Sequence, residues 1–105
     1  FVLDRMNSHT RLTCRDAGLQ KDVAGYLRDH VVVTTSGNFS VPAFLCTYMT
    51  LGIGKILFSV DWPYERNEWG AELLARLPIS DDERAQVAHR NAERVLKLPA
   101  GIGRR

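Results

Sequence analysis

Asp61 is the residue in this sequence best placed to do chemistry. It closes the apolar run at residues 55–60 (Lys-Ile-Leu-Phe-Ser-Val) and is followed at once by Trp62, Pro63 and Tyr64. A carboxylate can hold a hard cation or carry a proton, and the two aromatic neighbours offer flat apolar surface. An apolar run without polar alternation reads as a strand buried on both faces, the habit of parallel sheets. Asp61 then sits at or just past that strand's C-terminal end, where ligands and reactive groups collect in α/β proteins. The same position has a plain alternative, because Asp before a helix is a common cap.

The remaining chemistry-bearing residues are dispersed. Of the three histidines, His9 falls in a polar stretch and reads as a surface loop residue, and His89 lies within a helical pattern. His30 precedes the first strand, so it belongs at the opposite end from Asp61, roughly 15 Å away at ~3.3 Å per residue. The two cysteines, Cys14 and Cys46, make no disulfide framework, and Cys46 sits in an apolar pattern as a small hydrophobe. The turn at Ser36-Gly37-Asn38 precedes a helix and could serve as an anion site, but it lacks the glycine pattern and lysine of a phosphate loop. With 14 basic against 12 acidic residues the net charge is only +2, so no nucleic-acid partner is expected. No apolar run reaches the ~18 residues of a membrane span, and no signal peptide is visible. A soluble, cytoplasmic chain is therefore expected. Its 105 residues suffice for one domain with a modest core. It begins at Phe1, inside a helical pattern, which suggests a piece of something longer.

These residues need elements to position them. Residues 1–8 read as the end of an amphipathic helix and 9–20 as a polar connector. Val23, Tyr26 and Leu27 mark a short helix over 21–29. Five β-branched residues at 31–35 predict a strand, ended by the Ser36-Gly37-Asn38 turn. Ser40 as cap and Pro42 in the first turn open a helix with the stripe Val41, Phe44, Leu45, Tyr48 and Met49, stopped by Gly52 and Gly54. The second strand is 55–60. Trp69, Leu73 and Leu77, spaced by four, predict a helix over 65–77, ended by Pro78. Ser80 and Glu83 form a capping box with an acidic first turn, opening a last helix to about Leu98 with Ala88, Ala92, Val95 and Leu96 on one face. The order α, α, β, α, β, α, α defines an α/β fold with a parallel βαβ unit. Two strands are too few for a sheet, and each would show a bare edge. More strands are expected from elsewhere.

Two stretches together carry a resemblance: Val33-Thr34-Thr35-Ser36-Gly37-Asn38-Phe39, and Ile56-Leu57-Phe58-Ser59-Val60-Asp61-Trp62-Pro63-Tyr64, with Asn91-Ala92-Glu93-Arg94 following in the last helix. This resembles the C-terminal part of the amidohydrolase 2 family, the group with metal-dependent aromatic-acid decarboxylases such as γ-resorcylate and 2,3-dihydroxybenzoate decarboxylase. The opening Phe1 to Arg5 is similar to the helix after that family's sixth strand. The resemblance implies the last two β/α units plus terminal helix of a TIM-like (β/α)₈ barrel, incomplete on its own, occupying residues 1–98, with 99–105 as a flexible tail.

The resemblance also assigns roles. Asp61 would ligate a divalent metal, zinc or manganese, or handle a proton beside it; Trp62 and Tyr64 would wall a flat substrate, and Ser36 and Asn38 would line the same rim. Plain packing for the two aromatics and an ordinary turn for Ser36 and Asn38 stay open as alternatives, while Asn91 and Ala92 are expected to serve helix packing. The implied activity of the complete protein is decarboxylation of a small aromatic or unsaturated carboxylic acid, with a hydrolase of the same superfamily, or a non-catalytic remnant held together by oligomerisation, as alternatives. A homo-oligomer is expected. The family takes its other metal ligands from strands this chain does not contain, so the 105-residue chain alone is expected to bind no catalytic metal and to be inactive.

Overall fold

The structure is a computed structural model that describes residues 1–100; of the expected tail, residues 101–105 lie outside the described residues. The chain divides into two compact units, residues 1–32 and the residues from Val33 onward.

The first unit is a helix pair, α1 (Leu3–Asp16) and α2 (Val23–His30). Helix α1 runs through the stretch expected to be a connector, and His9 lies within it. The inward stripe of α1 is Leu3, Asn7, Thr10 and Cys14, spaced as one helical face. Two of its four members are polar, so hydrophobic spacing alone ends the helix too early. Asn7 has a specific job there. Its Oδ1 accepts the Ala24 N–H at 3.0 Å and its Nδ2 donates to Asp22 at 3.0 Å, while Asp22 accepts the Gly25 N–H at 2.7 Å. Together Asn7 and Asp22 satisfy two of the amides that open α2, those of Ala24 and Gly25.

The second unit holds the chemistry. Its order is β1 (Val33–Thr34), α3 (Val41–Leu51), a 3₁₀ turn (Ile53–Lys55), β2 (Ile56–Leu57), α4 (Asn67–Arg76) and a last helix. The two strands pair in parallel, with Val33 opposite Ile56 and Thr34 opposite Leu57, so the predicted βαβ unit is present. The regular ladder is shorter than the predicted strands because each strand has one strand neighbour here. Helix α3 has its expected Ser40 cap, which accepts the Ala43 N–H at 3.3 Å, and ends at Gly52 with φ +86°. Glycine is the residue that adopts this angle without steric cost.

Phe44, Ile56, Leu73, Leu77 and Val87 form the core, with Val41, Leu45, Tyr48, Ile53 and Phe58 packed against it. Burying each such side chain contributes about 1.5–3 kcal/mol. Met49, expected on the α3 stripe, is instead 83% exposed. Gly70 lets α4 lie directly on the end of the second strand: a Cβ there would stand 2.4 Å from Val60 Cγ2 and 3.2 Å from Phe58 Cζ.

The last helix departs most from expectation. It comprises α5 (Asp81–Ala85), a π turn (Gln86–Arg90) and α6 (Asn91–Val95), opened by the predicted Ser80–Glu83 capping box. Its buried residues are Val87 and Asn91; Leu96 is 61% exposed. In the π turn the Asn91 N–H bonds to Gln86 O, one residue earlier than an α-helix would place it. That frees the Val87 carbonyl, which accepts the Phe58 N–H at 3.0 Å. Asn91 Nδ2 donates to Ile53 O and Ile56 O, both at 2.8 Å. The far edge of β2, expected to be bare, is therefore met at Ile56 and Phe58 by the last helix. Asn91 does more than pack. Among the described residues no helix is long and apolar enough to cross a membrane.

Candidate functional site

Past the regular ladder the two strands stay joined by an irregular set of bonds, and these place Asp61. Thr35 N–H donates to Leu57 O at 3.0 Å, continuing the parallel pattern. The next ladder bond would run from Ser59 N–H to the Thr35 carbonyl. That carbonyl instead accepts Asn38 N–H at 2.9 Å, closing the turn. The Thr35 hydroxyl fills the gap: Oγ1 accepts Ser59 N–H at 3.0 Å and donates to Ser59 O at 2.7 Å. Gly37 N–H then reaches Val60 O at 3.3 Å, and Ser59 Oγ lies 3.4 Å from Ser36 Oγ.

The turn at 35–38 and the end of β2 thus form one rim, with Asp61 on it. Asp61 has φ +80°, a left-handed conformation that non-glycine residues rarely adopt, Asp and Asn more readily than others. Its carbonyl accepts Tyr64 N–H at 2.9 Å and Glu65 N–H at 3.1 Å, and the Trp62–Pro63 peptide within this turn is cis. A Cβ on Gly37 would lie 3.8 Å from Asp61 Oδ2, so the carboxylate hangs over the glycine. It is exposed, and no hydrogen bond or ion pair to it is found among the described residues. Asp61 is not the cap of α4; Arg66 holds that position without a side-chain cap bond. The capping alternative for Asp61 is therefore set aside.

The other expected site residues are distributed around this rim. Ser36 is half-buried beside Ser59, and Asn38 is exposed, its Oδ1 accepting Ser40 N–H at 3.4 Å. Asn38 also borders a shallow hollow of about 70 Å³ with Thr34, Thr35 and Thr47. Trp62 and Tyr64 are 71% and 85% exposed, so packing under the last helices does not explain them. The rim is braced by α4: Phe39 packs edge-on to Trp69 with centroids 6.4 Å apart, and Arg76 Nη2 donates to Phe39 O at 2.8 Å. The part that Thr35, Gly37 and Ser59 play in holding the rim escaped the sequence reading. A threonine in a β-branched run signals only a strand, although a glycine directly after the turn's serine was a usable sign of close approach.

Among the described residues no group of three or more His, Cys, Asp or Glu stands together to hold a metal ion. A catalytic zinc takes about three protein ligands. Asp61 fits one ligand position: an anionic oxygen donor, exposed and unneutralised, at the C-terminal end of a parallel strand.

The parallel pair and its crossing helix define a βαβ unit of the α/β class, with an exposed carboxylate just past the strand ends. The amidohydrolase family profile matches residues 2–98, and the chain belongs to that family. It is 29% identical over 96 residues, 91% of its length, to γ-resorcylate decarboxylase of Polaromonas sp. JS666. The chain spans 29% of that relative's length. Among solved structures, it is similar to dihydroxybenzoic acid decarboxylase from Polaromonas sp. JS666 with bound manganese and 2-nitroresorcinol, with a TM-score of 0.73, 30% identity, and coverage of 76% of this chain and 24% of that one. It is also similar to 5-carboxyvanillate decarboxylase from Sphingomonas paucimobilis, with a TM-score of 0.85 and 26% identity over 94% of this chain and 30% of that one.

Proposed function

We propose that the chain is the C-terminal part of a metal-dependent decarboxylase of small hydroxylated aromatic acids. Residues 1–98 would form the last two β/α units and terminal helix of a (β/α)₈ barrel, with β1 as its seventh strand and β2 as its eighth. The observation that carries the reading is Asp61: an exposed carboxylate just past a parallel strand, in a chain similar to γ-resorcylate decarboxylases. Among the described residues β1 pairs with β2 alone, which suits addition of a preceding strand on its other edge. On the other side the last helix already engages Ile56 and Phe58, which leaves the segment after Phe58 to meet a neighbour.

In this reading Asp61 supplies one ligand to a divalent cation, with manganese favoured because similar structures contain it. A divalent cation held there by Asp61 and ligands from the rest of the polypeptide would supply Lewis-acid stabilisation of negative charge. Standing beside the cation instead of ligating it, Asp61 would carry the proton. Its carboxylic acid form delivers H⁺ to the ring carbon bearing the carboxyl group; the bond to that carboxyl then breaks, its electron pair restores the aromatic ring, and carbon dioxide leaves. Water reprotonates Asp61. Trp62 and Tyr64 would lie along the ring faces and Ser36 and Asn38 along the polar edge of the pocket. The family's description as amidohydrolase favours one alternative, a hydrolase in which Asp61 takes a proton from an attacking water.

The test is a substrate panel on the full-length, manganese-replete polypeptide. Release of carbon dioxide from ortho-hydroxybenzoic acids supports decarboxylation. Turnover of amides or esters without carbon dioxide supports the hydrolase.

A further inference from the structure

We propose that Thr35 is a positioning residue for Asp61, acting as a side-chain clamp where the sheet's own hydrogen bonds end. The inference deepens the reading of Asp61 as a metal ligand and rests on it. Thr35 is buried, 6% exposed, and one residue there meets two demands. Its carbonyl must turn back to Asn38 to form the rim, which leaves Ser59 N–H without its ladder partner. Its hydroxyl accepts that N–H and donates to the Ser59 carbonyl, fixing both polar groups of Ser59. Ser59 stands two residues before Asp61, and Val60 between them is held by Gly37 N–H. A strained φ of +80° at Asp61 persists only when its surroundings over-determine it. On this edge the surroundings are Thr35 and Gly37; on the other they are Val87 and Asn91, bonded to Phe58 and Ile56.

Valine has nearly the shape of threonine but neither donates nor accepts. In Thr35→Val the Ser59 amide and carbonyl lose their partners, and the chain leading to Asp61 is free to relax. Thr35→Ser keeps the hydroxyl.

The experiment titrates Mn²⁺ into the full-length polypeptide, stripped of metal, for wild type, Thr35→Val, Thr35→Ser and Asp61→Ala, and records the manganese-induced rise in Tm alongside. We expect Thr35→Val to weaken Mn²⁺ binding by ~10–100-fold, the range for loss of a ligand's supporting hydrogen bond, with Thr35→Ser within ~3-fold of wild type. A merely structural threonine would lower the metal-free Tm and leave the dissociation constant unchanged; that result overturns the proposal. If Asp61→Ala binds Mn²⁺ as wild type does, the reading of Asp61 itself fails, and the clamp's purpose with it. Should Thr35→Val not fold, Thr35→Cys, with a much weaker donor of similar size, takes its place in the same comparison.

Discussion

Asp61 combines exposure and an unpaired carboxylate with a left-handed backbone, and the backbone is what costs stability. Left-handed geometry costs an L-residue roughly 1–2 kcal/mol, somewhat less for Asp. Asp61→Gly is therefore expected to leave the metal-free protein as stable as wild type, or up to ~1 kcal/mol more stable, while manganese binding is lost; chelator-treated melts and metal titration read the two effects separately. A second residue-scale prediction concerns Glu83. Its Oε1 accepts the Tyr48 hydroxyl at 2.5 Å and its Oε2 the Ser80 N–H at 3.0 Å. The Tyr48 bond, then the Ser80 amide, hold the Glu83 carboxyl below its usual range, and the same carboxylate holds Tyr48 above its own. A lowered carboxyl adds stability that is present above its unfolded pKa and is lost as pH falls through the folded value. For Tyr48 the stabilisation is full below its unfolded pKa of ~10 and is lost as pH rises through the raised folded value. Glu83→Gln should flatten the acid limb of a stability–pH curve, and Tyr48→Phe the alkaline limb. The place of Asp61 just past the strand end was legible because an apolar run ending in a carboxylate and aromatics is a local pattern. Thr35 was not, since its role depends on a partner 24 residues away.

At the scale of elements, what positions the rim is how closely α4 and the last helix approach the second strand. Gly70 sets the first distance. Gly70→Ala gains ~1 kcal/mol of helix propensity, but its Cβ would meet Val60 at 2.4 Å, and overpacking costs ~1–3 kcal/mol. The contact is severe enough for overpacking to prevail, so we expect net destabilisation of ~1–2 kcal/mol by chemical denaturation. Asn91 sets the second. Asn91→Leu strands the Ile53 and Ile56 carbonyls, at about 1–3 kcal/mol per unpaired buried group, and should destabilise clearly while Ala92→Leu on the neighbouring face does less. Helices α2 to α4 were readable because their signals are local: caps, a proline in the first turn, apolar residues at helical spacing. Helix α1 was truncated because Asn7 and Thr10 occupy its inward face. The last helix was read one residue out of phase, with Ala88 and Ala92 in place of Val87 and Asn91, because a π turn leaves no mark in apolar spacing. An asparagine in the middle of a helix, where it is a poor former, was the available hint.

For the molecule as a whole, the described residues supply one parallel pair with Asp61 on its rim, and the chain spans 29% of a relative's length. The parallel order was legible from the strand–helix–strand spacing. The protection of β2's far edge was not, because it comes from a side chain and a freed carbonyl more than two dozen residues downstream. Decarboxylation of an aromatic acid through Asp61 and a divalent metal is the activity proposed for the complete polypeptide. Its most direct test measures carbon dioxide released from 2,6-dihydroxybenzoate and related ortho-hydroxybenzoates by the full-length, manganese-replete polypeptide, beside Asp61→Asn shown to be folded by its melt. Manganese-dependent release is expected, falling by more than the ~10–100-fold typical of losing an outer-shell partner when Asp61 is changed. Release that persists unchanged in Asp61→Asn would contradict it.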